Sequence, residues 1–200
     1  RRNVRMVYLV ENNGIYGLTK GQFSATADKG SVAKKGAVNN DSGIDLASLA
    51  ILMGATFVAR SFSGDKQQLV PLIKAAVSHP GAAILDVISP CVAFNNHPGS
   101  TKSYDFVRDH NEAVNRLDFI TGSDPIEAEY APGDSIEVPQ ANGPALRLRK
   151  ITPDYDPSSK AGALAFIQDK EAAGEVATGL LYLDPMPRDL HSNLKTVKTP

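Results

Sequence analysis

Three short apolar runs limit what this chain can become: Val4–Val10 (VRMVYLV), Thr56–Arg60 (TFVAR) and Ala82–Ser89 (AAILDVIS). Each is rich in β-branched, aliphatic or aromatic residues and bounded by turn formers, the pattern of a strand buried on both faces. Between them the apolar spacing turns helical: Leu46, Leu49, Ile51 and Leu52, then Leu69, Leu72, Ile73 and Ala76. Asp45 or Ser42 is placed to cap the first helix and Gly54 to end it. Ser63-Gly64-Asp65 caps the second, and His79-Pro80-Gly81 stops it. The order β-α-β-α-β within ninety residues predicts an α/β fold, a parallel sheet with helices on both faces. In such sheets ligands sit beyond the carboxyl ends of the strands. Chemistry is therefore expected from Glu11 onward and from Pro90 onward.

At 200 residues, 42% hydrophobic and 22% charged, the chain is an ordinary globular domain or a large piece of a bigger assembly. The net charge of −1 carries no general attraction for nucleic acid. Its distribution is uneven. Residues 1–40 hold seven Lys and Arg against Glu11 and Asp28, and residues 117–146 hold six acids and no Lys or Arg. Solvated surface explains both runs most simply; the basic start could also serve a phosphate-bearing ligand or an acidic partner. The longest apolar stretch, Ile44–Ala59, is interrupted by Asp45, Ser48 and Thr56, so no membrane span is expected. Arg-Arg-Asn runs straight into a strand without a signal-peptide pattern. One cysteine excludes an internal disulfide framework and fits a reducing, cytoplasmic compartment.

Past Ser100 the organisation loosens. Tyr104–Leu117 reads as an amphipathic helix, and SIEVPQ and ALRLRK flank Asn142-Gly143 as a hairpin. Ser158–Ala173 reads as a helix, Val176–Leu183 as a final strand, and Pro185–Pro200 as an irregular tail. Two regions are expected: residues 1–117, carrying the ligand-binding sheet, and residues 118–200, an extension placed for subunit contact.

The stretch Glu11–Gly43 is too long for an idle loop in a compact domain. It opens with Glu11-Asn12-Asn13-Gly14-Ile15-Tyr16-Gly17-Leu18-Thr19-Lys20-Gly21-Gln22. Asn-Gly alone is usually a turn, but no alternating strand follows it here. Three glycines in eight residues imply close backbone approach to something. At the other strand end stands Cys91, after DVISP. A lone cysteine there is most often a small buried hydrophobe, and His97 in the same Pro/Asn loop is a weak partner for a thiol nucleophile. His79, His97, His110 and His191 lack metal-ligand spacing and read as surface or capping residues. No P-loop, dinucleotide-binding glycine signature or Ser-His-Asp constellation is present.

The Asn12-Asn13 pair after a strand resembles the close of the thiamine-diphosphate motif, which opens with Gly-Asp-Gly. The longer strings NNGIYGLTKGQFSATADKGS, GATFVARSFSGDKQQLV and DVISPC resemble the beta subunit of 2-oxoacid:ferredoxin oxidoreductases, in the 2-oxoglutarate branch. The resemblance runs from Arg1 to about Glu112 and more loosely to Asp184. It implies that Asn13 offers its side-chain oxygen, and Ile15 its backbone carbonyl, to Mg²⁺. It places Gly17, Leu18 and Thr19 against thiamine diphosphate and Lys20 toward the substrate. Cys91 corresponds to the last thiolate of a [4Fe–4S] cluster, which normally needs four. Only three residues precede the first strand, so Gly-Asp-Gly has no room before it, and three cysteines are missing. Both gaps fit an N-terminally truncated chain. Ser24-Ala25-Thr26-Ala27, where relatives often carry Ser-Pro-Thr, fits the 2-oxoglutarate branch.

The implied activity is coenzyme A-dependent oxidative decarboxylation of a 2-oxoacid, with electrons passing through the cluster to ferredoxin. The implied partner is an alpha subunit, in a heterodimer or a dimer of heterodimers. Two alternatives stand beside it: a cluster-free thiamine-diphosphate decarboxylase or synthase, which leaves Cys91 idle, and a non-catalytic α/β binding module.

Overall fold

The structure, a computed structural model, describes residues 2–17, 21–33, 36–89, 127–139 and 144–194. Its centre is a six-stranded sheet in the order β1-β5-β4-β8-β7-β6. The strands are β1 (Met6–Asn12), β4 (Phe57–Phe62), β5 (Ala82–Ile88), β6 (Ser135–Val138), β7 (Leu146–Lys150) and β8 (Val176–Leu183), while β2 (Ile15–Tyr16) and β3 (Gln22–Phe23) form a separate ribbon. As expected, β1, β5 and β4 run parallel, so their carboxyl ends lie together. The remainder is mixed: β8 runs antiparallel to β4, β7 parallel to β8, and β6 antiparallel to β7. The predicted hairpin is thus present as β6 and β7, and the 118–200 region adds its strands to the first region's sheet. The Asn142-Gly143 turn and the 104–117 helix lie outside the described residues.

Helices cover both faces. On one lie α1 (Leu46–Met53) and α3 (Lys160–Ala172), on the other α2 (Lys66–Ser78). A fourth, α4 (Leu190–Leu194), is a short turn near the carboxyl end. The period of two along each strand sorts the core. Phe57 and Ala59 of β4, with Ala83, Leu85 and Val87 of β5, pack toward α2. Val58 packs with Ile51, Ala163, Ile167 and Leu181 on the opposite face, among α1 and α3. The capping residues are Asp45, which accepts from the Ser48 N–H at 2.6 Å, Asp65, which accepts from Gln68 N–H at 3.0 Å, and Ser159.

One expectation is overturned. The first apolar run is not buried on both faces: β1 is an edge strand, with Met6 45% and Tyr8 56% exposed. Among the described residues it pairs only with β5, so its outer side lacks the neighbour that encloses β4 and β5.

The described residues between Asn13 and Gly43 fold upon one another. Asn39 is buried, and its Nδ2 donates to the carbonyls of Ala27, Asp28 and Asp41, each at 3.1 Å. Ala27 is buried beneath it, and a Cβ on Gly43 would stand 2.9 Å from the Ala27 carbonyl oxygen. That approach is possible only for glycine unless the backbone shifts.

At the opposite end of β4 a second polar cluster ties down the start of the chain. The Ala82 N–H donates to Asn3 Oδ1 at 2.8 Å, which fixes the orientation of that amide. Thr56 also donates to Asn3 Oδ1, at 2.9 Å, spending its only proton. The 2.7 Å contact between Thr56 Oγ1 and His79 Nε2 is therefore donated by the imidazole. His79 is both the cap of α2 and 7% exposed, so a residue expected as surface or cap is a buried cap. Burial lowers its pKa, against a smaller raising effect of Asp184.

Two outcomes follow from these packings. A His whose folded pKa lies below its unfolded value binds fewer protons in the folded state, so stability is retained above about pH 6.5 and falls as the pH drops below it. Thermal unfolding between pH 7.5 and 5 should show that fall, and His79→Gln should flatten it; an equal slope in the variant would assign the loss to other groups. Gly43→Ala should cost about 1–3 kcal/mol in denaturant unfolding, the usual range for overpacking. A neutral result would mean that the 26–43 segment moves freely against its neighbour.

Candidate functional site

The three parallel strands end together at a cleft of about 290 Å³. Its walls come from Asn12 at the end of β1 with Asn13, Gly14 and Ile15 after it, from Thr26, Asp28 and Lys29, and from Gly43 to Leu46 at the start of α1. Its floor is ionic. In the sheet register Arg60 of β4 lies beside Asp86 of β5, and Asp86 beside Val10 of β1. These positions face α1, whose N-cap is Asp45. Arg60 Nε donates to Asp86 Oδ2 at 2.8 Å, and its terminal nitrogen pairs with Asp45 Oδ2. Both side chains of the Arg60–Asp86 pair are almost fully enclosed, at 5% and 2% exposure. Burial opposes the Asp45 charge, but the Arg60 guanidinium and Ser48 N–H together hold its pKa below the ordinary value. Burial likewise opposes the Arg60 charge, and Asp86 and Asp45 outweigh it. One cation shared between two carboxylates leaves a formal charge of −1 at the floor.

The floor is wired to the loop above it. The second Asp86 oxygen, Oδ1, accepts from Asn12 Nδ2 at 3.0 Å, and Asn12 Oδ1 accepts from the Thr26 hydroxyl at 2.7 Å. Thr26 meets Ser24 Oγ at 2.9 Å, and the Ser24 N–H donates to Gly14 O at 2.9 Å, closing the path back to the loop. Asn12 is thus used at both ends of its amide and is committed to structure. Asn13 is exposed on the cleft wall, its Oδ1 accepting from the Ile15 N–H at 3.1 Å, an Asx turn that leaves the second lone pair of that oxygen for a further partner.

Ile15 opposes Phe23 between two pairs, Gly14 with Ser24 and Tyr16 with Gln22. Gly14 O is taken by Ser24 N–H, so by alternation Ile15 stands at the non-hydrogen-bonded position and its carbonyl lies outside the ladder. Gly14 makes the turn with φ of +70°, a conformation that side chains disfavour.

The site therefore brings together Asn13, Ile15 and the unpredicted floor of Arg60, Asp86 and Asp45. Gly17 follows β2 and is exposed. Leu18, Thr19, Lys20 and Cys91 lie outside the described residues. Two neutral oxygen donors on a turn, over an anionic floor, suit a hard divalent cation that shares its remaining positions with phosphate oxygens. Among the described residues no group of three His, Cys, Asp or Glu side chains is placed to hold a metal by itself. No helix of the described residues is long and apolar enough to cross a membrane.

Comparison with known proteins finds relatives of one kind. Residues 1–87 match the family model of the thiamine pyrophosphate enzymes, C-terminal TPP binding domain. The chain is 42% identical over 129 residues to the 2-oxoacid:ferredoxin oxidoreductase subunit beta of Saccharolobus solfataricus, covering 63% of this chain and 39% of that one. It is 40% identical over 97 residues to the 2-oxoglutarate oxidoreductase subunit KorB of Mycobacterium tuberculosis, covering 48% and 26%. The chain thus spans about two fifths or less of the curated relatives named here. A solved structure of the 2-oxoglutarate:ferredoxin oxidoreductase from Magnetococcus marinus, with 2-oxoglutarate, coenzyme A and succinyl-CoA bound, superposes with a TM-score of 0.66. It is 28% identical and the match covers 98% of this chain and 52% of that one. Residues 1–87 thus resemble a thiamine pyrophosphate-binding domain, and the chain is similar to 2-oxoacid:ferredoxin oxidoreductase beta subunits.

Proposed function

We propose that this chain is the cofactor-holding part of a 2-oxoacid:ferredoxin oxidoreductase, acting with an alpha subunit on 2-oxoglutarate and coenzyme A in the cytoplasm. The observation that carries the reading is the Asn12-Asn13 pair at the carboxyl end of β1, with Asn12 bound into the floor and Asn13 turned to the cleft. Similarity to relatives named for 2-oxoglutarate, and to a structure holding 2-oxoglutarate and coenzyme A, supports the substrates.

Thiamine diphosphate, when bound, supplies the carbon nucleophile and electron sink for release of CO₂ from a 2-oxoacid. The protein's part is binding and order. Asn13 Oδ1 and the Ile15 carbonyl would hold Mg²⁺, and Gly14 and Gly17 let the backbone approach the diphosphate. Leu18 and Thr19 would line the cofactor, and Lys20 would meet the distal carboxylate of a dicarboxylic substrate. Cys91 would give one thiolate to a [4Fe–4S] cluster whose other ligands come from outside this chain, and ferredoxin would accept the electrons. The division at about residue 117 stands as a proposal of the same kind, with residues 118–200 serving subunit contact.

Two variants of the complete enzyme test the reading. Asn13→Ala should raise the Mg²⁺ concentration needed for half-saturation by at least the ~10–100-fold that loss of an outer metal-site partner costs. An unchanged requirement would remove Asn13 from the metal and with it the thiamine reading of the cleft. Lys20→Ala should raise KM for 2-oxoglutarate more than for 2-oxobutyrate; equal effects would leave Lys20 a general electrostatic role.

A further inference from the structure

Among the described residues Arg60 makes no hydrogen bond to the loop that carries Asn13, yet the chain of contacts from its guanidinium ends in that loop. We infer that Arg60 is a positioning residue for the cofactor's metal: it orients Asp86, which orients Asn12, which sets the place of Asn13. The inference rests on the function proposed above for the cleft.

Three features argue that this network serves position and not only stability. Buried ion groups rarely improve on well-packed apolar residues of the same volume, so a guanidinium between two carboxylates is a poor choice for holding a sheet together. Arg60, Asp86, Asp45, Asn12 and Thr26 all line the cleft. Every polar end along the relay is also used: Asp86 takes Arg60 on one oxygen and Asn12 on the other, and Asn12 takes Asp86 and Thr26 at opposite ends of its amide. Such a chain leaves Asn12 a single orientation. Because Asn13 is the next residue, its backbone position is inherited from that orientation.

The planar fork of arginine is required. Its Nε and a terminal nitrogen diverge to Asp86 and Asp45 at once, joining two strands to the start of α1. A lysine keeps the charge but concentrates it at one point and cannot hold both carboxylates with the same geometry.

The test uses the complete enzyme, stripped of metal, with Mg²⁺ binding followed by calorimetry at saturating thiamine diphosphate. Arg60→Lys should weaken Mg²⁺ binding about tenfold or more, leave the KM for coenzyme A unchanged, and recover most of kcat at high Mg²⁺. Thr26→Val, which removes a hydroxyl from the far end of the relay without altering charge, should weaken Mg²⁺ in the same direction. The double variant should lose less than the product of the two single losses, since both cut one chain. Normal Mg²⁺ affinity in Arg60→Lys, even with a lowered melting temperature, would make Arg60 a fold support and overturn the inference. Should that variant not assemble, normal affinity in Thr26→Val overturns it equally. Asn13→Ala separates the two levels. If it weakens Mg²⁺ while Arg60→Lys and Thr26→Val do not, the inference fails and the proposed function stands. If it too leaves Mg²⁺ binding unchanged, both fail.

Discussion

The sharing of one guanidinium between Asp86 and Asp45 is the contact on which the cleft end of this molecule depends. Removing the cation would leave two carboxylates enclosed against each other, a loss of the order of 3–5 kcal/mol for a broken buried pair. The same atoms hold β4 to β5 through side chains and bring the amino end of α1 to the sheet. Asp45 is both helix cap and ion partner, accepting from Ser48 N–H while facing Arg60. Its charge therefore acts on the positive end of the helix and on the guanidinium together. A neutral residue at Asp45 would weaken both.

Arg60 can be buried because β4 is an interior strand. On one side β5 continues the parallel sheet, and on the other β8 runs antiparallel, with Arg60 opposite Gly179. The carboxyl-terminal region thus builds the wall behind the cleft floor. Leu181 and Ala177 of β8 pack with Ile51 of α1 and Ile167 of α3, so the same strand that flanks Arg60 also joins the two helices over that face. Further along, Lys150 of β7 reaches the Asp65 carboxylate at 2.8 Å and lies over the Tyr130 ring, fastening β7 to the cap of α2. The contrast with β1 is instructive. It has the most continuous apolar run of the three parallel strands, yet it stands at the edge and exposes most of it.

Much of this was legible from the chain itself, and the limits have physical causes. The β-α-β-α-β order, the Asp45 and Asp65 caps and the hairpin could be read because period and capping are local properties. The placement of β8 beside β4 could not, since a strand's neighbours are decided by tertiary packing. Nor could the exposure of β1, because an apolar run looks the same at an edge and in a centre. At the site, Asn13 and Ile15 were visible through the loop's glycines and the family resemblance. The floor was missed although a signal existed. Arg60 and Asp86 are the only charged residues in two otherwise uncharged buried strands, and opposite charges that burial must neutralise have to find partners. Asn12 was read as half of a motif, whereas its amide is the link between floor and loop.

In the function proposed here, the order of the loop explains how an exposed asparagine serves as a ligand. Asn13 is exposed, and its side chain is held by the Asx turn to the Ile15 N–H. Its position is imposed from two directions: from below through Asn12, and from beyond through the folded 24–43 segment. In that segment the Asn39 amide has two N–H groups and three carbonyls within 3.1 Å, so one hydrogen is shared and the amide is held against rotation. Ala27, buried beside it, precedes Asp28 and Lys29 on the cleft wall. The described part of the loop that is tied to Asn39 has less freedom left to lose when a ligand arrives. Binding then need not supply the ordering cost that a mobile glycine-rich segment would otherwise take from affinity. Preorganisation of a flexible-looking sequence by a buried charge network is the common logic of floor, loop and cleft.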